Sequence, residues 1–175
     1  MQVIRVYFLS MKKVTRRSPC PISTTLDILG DKWTLLIIRD LMFKGKRTYN
    51  EFLQSEEKIA TNILADRLLI LEKNGIVEKR AFPGNKVKNL YQLTLKGIDV
   101  MPILFEIILW GDKYFEIPER VHRLAREIRK DRNVMIKEIS KRLAATGAEV
   151  KSTGRSRKGQ KSISIIKFTP KNDQK

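Results

Sequence analysis

Few residues in this chain could do covalent or acid–base chemistry. Cys20 is the one cysteine and His122 the one histidine among 175 residues. His122 falls in a highly charged stretch, so the sequence offers neither a histidine-based triad nor a zinc site. It has no glycine-rich phosphate loop, and its Asp and Glu residues are scattered. An enzyme is not expected, nor a resident metal or cofactor. Cys20 carries the remaining reactive chemistry. It stands just before a helix start and behind Arg16 and Arg17, a setting that favours thiolate. The alternative is a small residue buried beside Trp33, a common fate of free cysteines. With no second cysteine, an oxidised Cys20 has to bridge two subunits or take up a small thiol. The same count rules out an internal disulfide and suits a reducing cytoplasm.

The other available chemistry is recognition of a polyanion. The formal net charge is +17, with 19 basic against 12 acidic residues through Phe115 and 17 against 7 beyond it. Such a charge draws nucleic acid, whose phosphates dominate binding of this kind. The residues that would read it lie between Lys58 and Leu93. Counting roughly 100° per residue from Ile63, Ile63, Leu64, Leu68, Ile70 and Leu71 share one side of a helix. Asn62, Ala65, Asp66, Leu69 and Lys73 share the other, with Thr61 and Glu72 at the flank. Asn62 has the donor and acceptor to hold adenine, Asp66 an acceptor for cytosine N4, and Ala65 a methyl for thymine. A merely solvated helix face is the alternative. Arg67 projects toward the apolar side, which suits an internal salt bridge or a backbone phosphate better than a base. Asn74-Gly75 ends this helix. Two β-rich runs, 76–82 and 87–93, follow around Pro83-Gly84-Asn85. On this hairpin Lys79, Arg80, Lys86 and Lys88 are candidates for phosphate contacts. A helix with an outward polar face and a basic hairpin beside it describes a winged helix.

The elements that must hold this reading head are legible on both sides of it. Ser23 or Thr24 can cap a short helix running through Ile28, and Gly30 ends it. Asp31 then caps a helix from Lys32 to Phe43 that is apolar nearly all round, hence central. Thr48 and Glu51 have the spacing of a capping box for a third, short helix. With the turn Ser55-Glu56-Glu57 and the helix at Thr61, it makes a helix-turn-helix. Beyond the wing, Thr94 caps a long helix over 95–115, bent at Pro102. Its apolar surface exceeds what a domain of roughly 95 residues needs, so Leu104, Ile107, Ile108 and Trp110 are assigned to an interface with a second subunit.

The expected fold class is mostly α with a small β-hairpin wing (α+β), a winged helix-turn-helix with additional C-terminal dimerisation helices. Residues 1–17 form a flexible extension, with Met11 as an alternative start. Residues 18–115 form the winged helix domain and 116–145 an amphipathic helix. Residues 146–175 read as a basic, disordered tail. No apolar run is long enough to span a bilayer, and no signal peptide is read.

Taken as one piece, Cys20 to Phe115 resembles the HxlR-type winged helix-turn-helix transcription regulators. The resemblance is carried by the ordered blocks CPISTTLDILGDKWTLLIIRDLM (20–42), RTYNEFL (47–53), IATNILADRL (59–68), LEKNGIVEKR (71–80), LYQLTLKG (90–97) and LFEIILWG (104–111). It implies a sequence-specific regulator of double-stranded DNA in a bacterial cytoplasm. It implies a homodimer joined through terminal helices, set on a roughly palindromic operator by paired recognition helices and wings. For Cys20 it implies a sensor, acting by disulfide exchange between subunits or by alkylation, with an oxidant or small-molecule effector. Two positions depart from the pattern. Ala60 stands where many relatives carry a capping Ser, which leaves Thr61 to cap or the cap weak. Leu69 stands where a basic residue is more usual. Two rival readings are a non-specific basic nucleic-acid-binding protein, nucleoid- or RNA-associated, and a winged module that binds only protein.

Overall fold

The computed structural model describes residues 18–82 and 85–152, the side chains at 85–87 and 146–152 excepted. The expected extension at 1–17 and the tail beyond residue 152 lie outside the described residues. Helix α1, Pro21–Leu29, starts earlier than a cap at Ser23 or Thr24 would allow. Pro21 occupies the first turn, where its fixed φ is ready for helix, and Cys20 is the residue ahead of it. The Thr24 hydroxyl instead donates back to the Cys20 carbonyl at 3.2 Å.

Helix α2, Lys32–Met42, is the central one. The Asp31 carboxylate accepts from the amides of Trp33 and Thr34 at 2.9 and 3.3 Å, satisfying two donors that the helix itself cannot. Ile37, Ile38, Leu41 and Met42 are buried, and the ring of Phe43 stacks on Phe105 with centroids 6.3 Å apart. Helix α3, Tyr49–Leu53, opens with the expected capping box. Glu51 accepts from the Thr48 and Arg47 amides at 2.8 and 2.7 Å.

After α4, Thr61–Lys73, Gly75 takes φ 67°, a backbone state that side-chain-bearing residues avoid. Strand β1, Val77–Phe82, pairs antiparallel with β2, Asn85–Leu93, placing Lys79 opposite Tyr91 and Arg80 opposite Leu90. Asn85 was expected in the turn but opens β2 opposite Phe82. Pro83 and Gly84 lie outside the described residues. The Tyr91 amide donates to the Arg47 carbonyl at 2.7 Å, and Thr48 bridges Leu90. The hairpin is thereby tied to the stretch that leads into α3.

The single helix expected over 95–115 is two. Thr94 caps α5, Leu95–Ile98, by accepting from the Gly97 amide at 3.1 Å. Helix α6, Met101–Tyr114, then starts afresh with Pro102 in its first turn. Pro102 therefore bends nothing; its missing N–H is one that no helix bonds there. The expected amphipathic helix over 116–145 is broken in the same manner. Helix α7, Glu119–Lys130, gives way at Asp131, whose carboxylate accepts from the Val134 amide at 2.9 Å and heads α8, Arg132–Ser152. Helix α8 runs past Ala145, where the composition changes.

Ala125 and Ile128 of α7 and Ile139 of α8 are buried, the two isoleucines joining the main core. Asp112 of α6 holds His122 Nδ1 at 2.6 Å and Arg129 at 2.7 Å, both on α7. Arg132 of α8 pairs with Glu106 of α6. No helix among the described residues is long and apolar enough to cross a membrane.

Candidate nucleic-acid interface

Helix α4 has thirteen residues and is about 20 Å long at 1.5 Å per residue. Leu64, Leu68 and Leu71 point into the core, and Ile63 and Ile70 lie half-buried at the flanks. Thr61, Asn62, Ala65 and Asp66 are all exposed, so the face expected to read bases is open along its N-terminal half. Leu69, 46% exposed, continues that face with an apolar group. The residue before the helix is Ala60, which makes no side-chain cap, and Thr61 is already helical. The Thr61 cap does not form. A residue that the sequence did not single out secures this end instead: the Tyr49 hydroxyl on α3 donates to the Thr61 carbonyl at 2.6 Å. Nothing local in the sequence signals it, because the partner lies on another helix.

Arg67 turns back toward the protein. Its Nε stands 3.4 Å from the Asp31 carboxylate, and its terminal nitrogen 3.7 Å from Asp66. It thus links α4 to the cap of α2, the internal role that its position in the helical phase suggested. The second pair also offsets part of the charge by which Asp66 would repel phosphate.

On the wing, Lys79 is exposed. Arg80 is half-buried and pairs with Glu78 at 2.7 Å. Lys88 is exposed, with Nζ 4.7 Å from the centre of the Phe82 ring, a cation–π distance. Lys86 lies on β2 and its side chain is outside those described. On β2, burial raises the Tyr91 phenol above its ordinary range, and its ring meets Phe52 edge-on, 6.1 Å away by centroids.

Two further sets of residues stand apart from this surface. Cys20 is exposed at the head of α1, so the buried placement beside Trp33 is excluded. The four residues assigned to a subunit interface divide between two faces of α6. Leu104 is 6% exposed and belongs to the subunit's own core, and Ile108 packs half-buried against that core. Ile107 and Trp110 are 48% and 58% exposed. They line up with Ile103 and Tyr114 at spacings that repeat on one helix face. The Trp110 ring also meets Tyr114 at a tilt and Phe115 edge-on, with centroids 5.1 and 5.3 Å apart. Among the described residues no group of His, Cys, Asp or Glu is arranged to hold a metal ion.

A helix-turn-helix whose second helix shows an open polar face beside a basic hairpin defines a winged-helix DNA-binding protein. Residues 28–119 match the model of the HxlR-like helix-turn-helix family, and the chain belongs to that family of bacterial DNA-binding transcriptional regulators rather than to a class of enzymes. It is 36% identical to the HTH-type transcriptional regulator YodB of Bacillus subtilis over 55% of this chain and 87% of that one. It is 35% identical to the uncharacterized regulator YdeP of the same organism over 54% and 73%. Among solved structures, the protein PA1607 superposes with a TM-score of 0.54 at 36% identity, over 59% of this chain and 70% of that one. The oxidized form of the redox regulator HypR gives 0.50 at 30% identity, over 56% and 100%.

Proposed function

We propose that the protein is a sequence-specific DNA-binding regulator that works as a homodimer on a roughly palindromic operator in a bacterial cytoplasm. The observation that carries this reading is the open N-terminal face of α4, with Thr61, Asn62, Ala65 and Asp66 exposed together. Residues at that end of a recognition helix reach base edges in the major groove. Lys79, Arg80, Lys86 and Lys88 of the wing hold the flanking phosphates. The exposed face of α6 through Ile107 and Trp110 meets its twin about a two-fold axis, flanked by Ile108. Two reading helices are then held about one DNA turn, roughly 34 Å, apart.

The test is to sequence the DNA fragments retained by the purified protein at physiological salt. Enrichment of one inverted-repeat motif, footprinted as two half-sites, supports the reading. Uniform coating of DNA or RNA would instead favour the general binder that a charge of +17 permits. No DNA affinity at all would favour a protein-contact module.

Cys20 supplies an input to the same molecule. It is exposed, and a relative of this fold is a redox regulator. Two Cys20 thiols, one from each subunit, reduce hydrogen peroxide: the O–O bond breaks, an S–S bond forms and the two oxygens leave as two waters, taking the two thiol protons. Alkylation of the same sulfur by an electrophile would act without the second subunit. A Cys20→Ser protein should keep operator binding in the presence of oxidant. Continued loss of binding in that variant removes Cys20 from the response.

A further inference from the structure

Asp40 is a carboxylate at 2% exposure near the end of α2. Arg39 donates to its Oδ1 through Nε and a terminal nitrogen, at 2.8 and 2.6 Å. Lys46 stands 3.2 Å from Oδ2, Lys44 3.9 Å from Oδ1, and the Ser55 hydroxyl donates to Oδ2. Burying such a cluster seldom adds stability over an apolar replacement, so its worth is sought in geometry. Two members reach the connection between α3 and α4. Ser55 is one, and Lys46 also donates to its hydroxyl at 2.6 Å. Glu57 is the other: both terminal nitrogens of Arg39 donate to its two carboxylate oxygens, one at 3.0 Å. This is the two-pronged arrangement that fixes orientation as well as distance.

Between Glu57 and the reading helix lies Lys58, with φ 50°. A non-glycine residue holds that left-handed state only where its surroundings demand it. Its amide closes back on the Ser55 carbonyl at 2.9 Å, and the next residue, Ile59, is buried. The turn is therefore tied on both sides of its strained residue. Helix α4 begins directly after, with no side-chain cap at Ala60, so it takes its direction from the turn.

We propose that Arg39 and Glu57, braced on the buried carboxylate of Asp40, clamp the helix-turn-helix connection and act as positioning residues for base recognition by α4. This rests on the reading that α4 enters the major groove. The Arg39 hydrogen bond holds the Glu57 carboxyl down to about 2, so the clamp is ionised at any physiological pH.

Hydrogen exchange on the free protein tests the clamp without DNA. Glu57→Gln and Arg39→Gln should each speed exchange over residues 54–65 and leave the core amides of α2 and α6 protected. Unchanged exchange over 54–65 overturns the clamp. So does loss of protection throughout the core, which would make the pair a general stability element. Binding then tests the consequence. Each variant should lose roughly tenfold on the operator, part of the discrimination carried by one good base contact, and the double variant no more than either single one. Glu57→Gln removes a negative charge, so its affinity for random DNA should hold or rise. Equal loss on operator and random DNA, or additive losses, overturns the positioning role. If the unaltered protein prefers no sequence while exchange responds as expected, base recognition fails and the clamp on α4 stands.

Discussion

Asn62 and Lys79 are both assigned to the proposed DNA-binding surface, but the free energies expected of them answer to different variables. Asn62 is exposed at the reading end of α4, where a bidentate pair discriminates one base pair from another. Asn62→Ala should cost about 1–3 kcal/mol on the operator and relax preference at one position. Equal loss on operator and random DNA would refute a base contact. Lys79→Ala should weaken all sequences alike and reduce the salt slope by about one, read from titrations at several salt concentrations. Glu57 answers to pH instead. Its carboxyl falls from 4.5 to about 2 on folding, chiefly through the Arg39 hydrogen bond. A depressed carboxyl stabilises fully above its unfolded value, and that stability fades as pH drops through this window toward 2. The side chain is 31% exposed, and solvent screening leaves at most about 1 kcal/mol. Urea unfolding of the native protein and Glu57→Gln should therefore converge between pH 5 and pH 2.5. A gap that stays constant would show that the ion pair is not its source. At this scale the sequence conveyed phase but not partners. The exposure of Asn62 followed from helical periodicity, whereas Tyr49 at Thr61 and Arg39 at Glu57 are meetings that only folding brings about.

Three helices were legible from the caps that open them. Asp31, the Thr48–Glu51 box and Thr94 all cap as their spacing indicates, because a cap involves residues within one turn. The breaks before α6 and before α8 were missed for the same reason turned round. Pro102 inside an apolar run reads as a kink, yet it also suits the first turn of a new helix. Asp131 reads as one more charge on a polar face until its carboxylate is seen on the Val134 amide. Two glycines separate packing from propensity. A Cβ on Gly97 would lie 2.2 Å from the Ile76 carbonyl oxygen, which is backbone and cannot step aside. Gly97→Ala should therefore destabilise by about 2–3 kcal/mol. A Cβ on Gly111 would meet only the Phe115 side chain, at 3.8 Å. Gly111→Ala should stabilise α6 by up to about 1 kcal/mol. Denaturant midpoints of the two variants should move in opposite directions. A neutral Gly97→Ala would mean that α5 can retreat from the wing base.

The family match ends at residue 119, so the attachment of α7 and α8 has to be read from this chain. They attach by burying Ala125, Ile128 and Ile139 and by Asp112, whose carboxyl Arg129 and then His122 hold below the ordinary range. That leaves the other face of α6 uncovered by the described residues, with Ile103, Ile107, Trp110 and Tyr114 all more than 40% exposed. Hydrophobicity along α6 showed the surplus but not which side would be spent inside, and so Leu104 was grouped with residues that face outward. The proposed dimer turns this division into a paired prediction. Ile107→Glu with Trp110→Glu puts two charges on the uncovered face and should give folded monomers by sedimentation. Operator affinity should then fall to that of a single half-site while helix content is kept, because each reading head survives but loses the second one tethered to it. Leu104→Ala should do the reverse, lowering subunit stability by about 2–5 kcal/mol while the dimer persists at temperatures where the subunit remains folded. A double variant that sediments as a dimer would move the two-fold axis away from this face of α6, and the spacing of the reading helices would have to be derived anew.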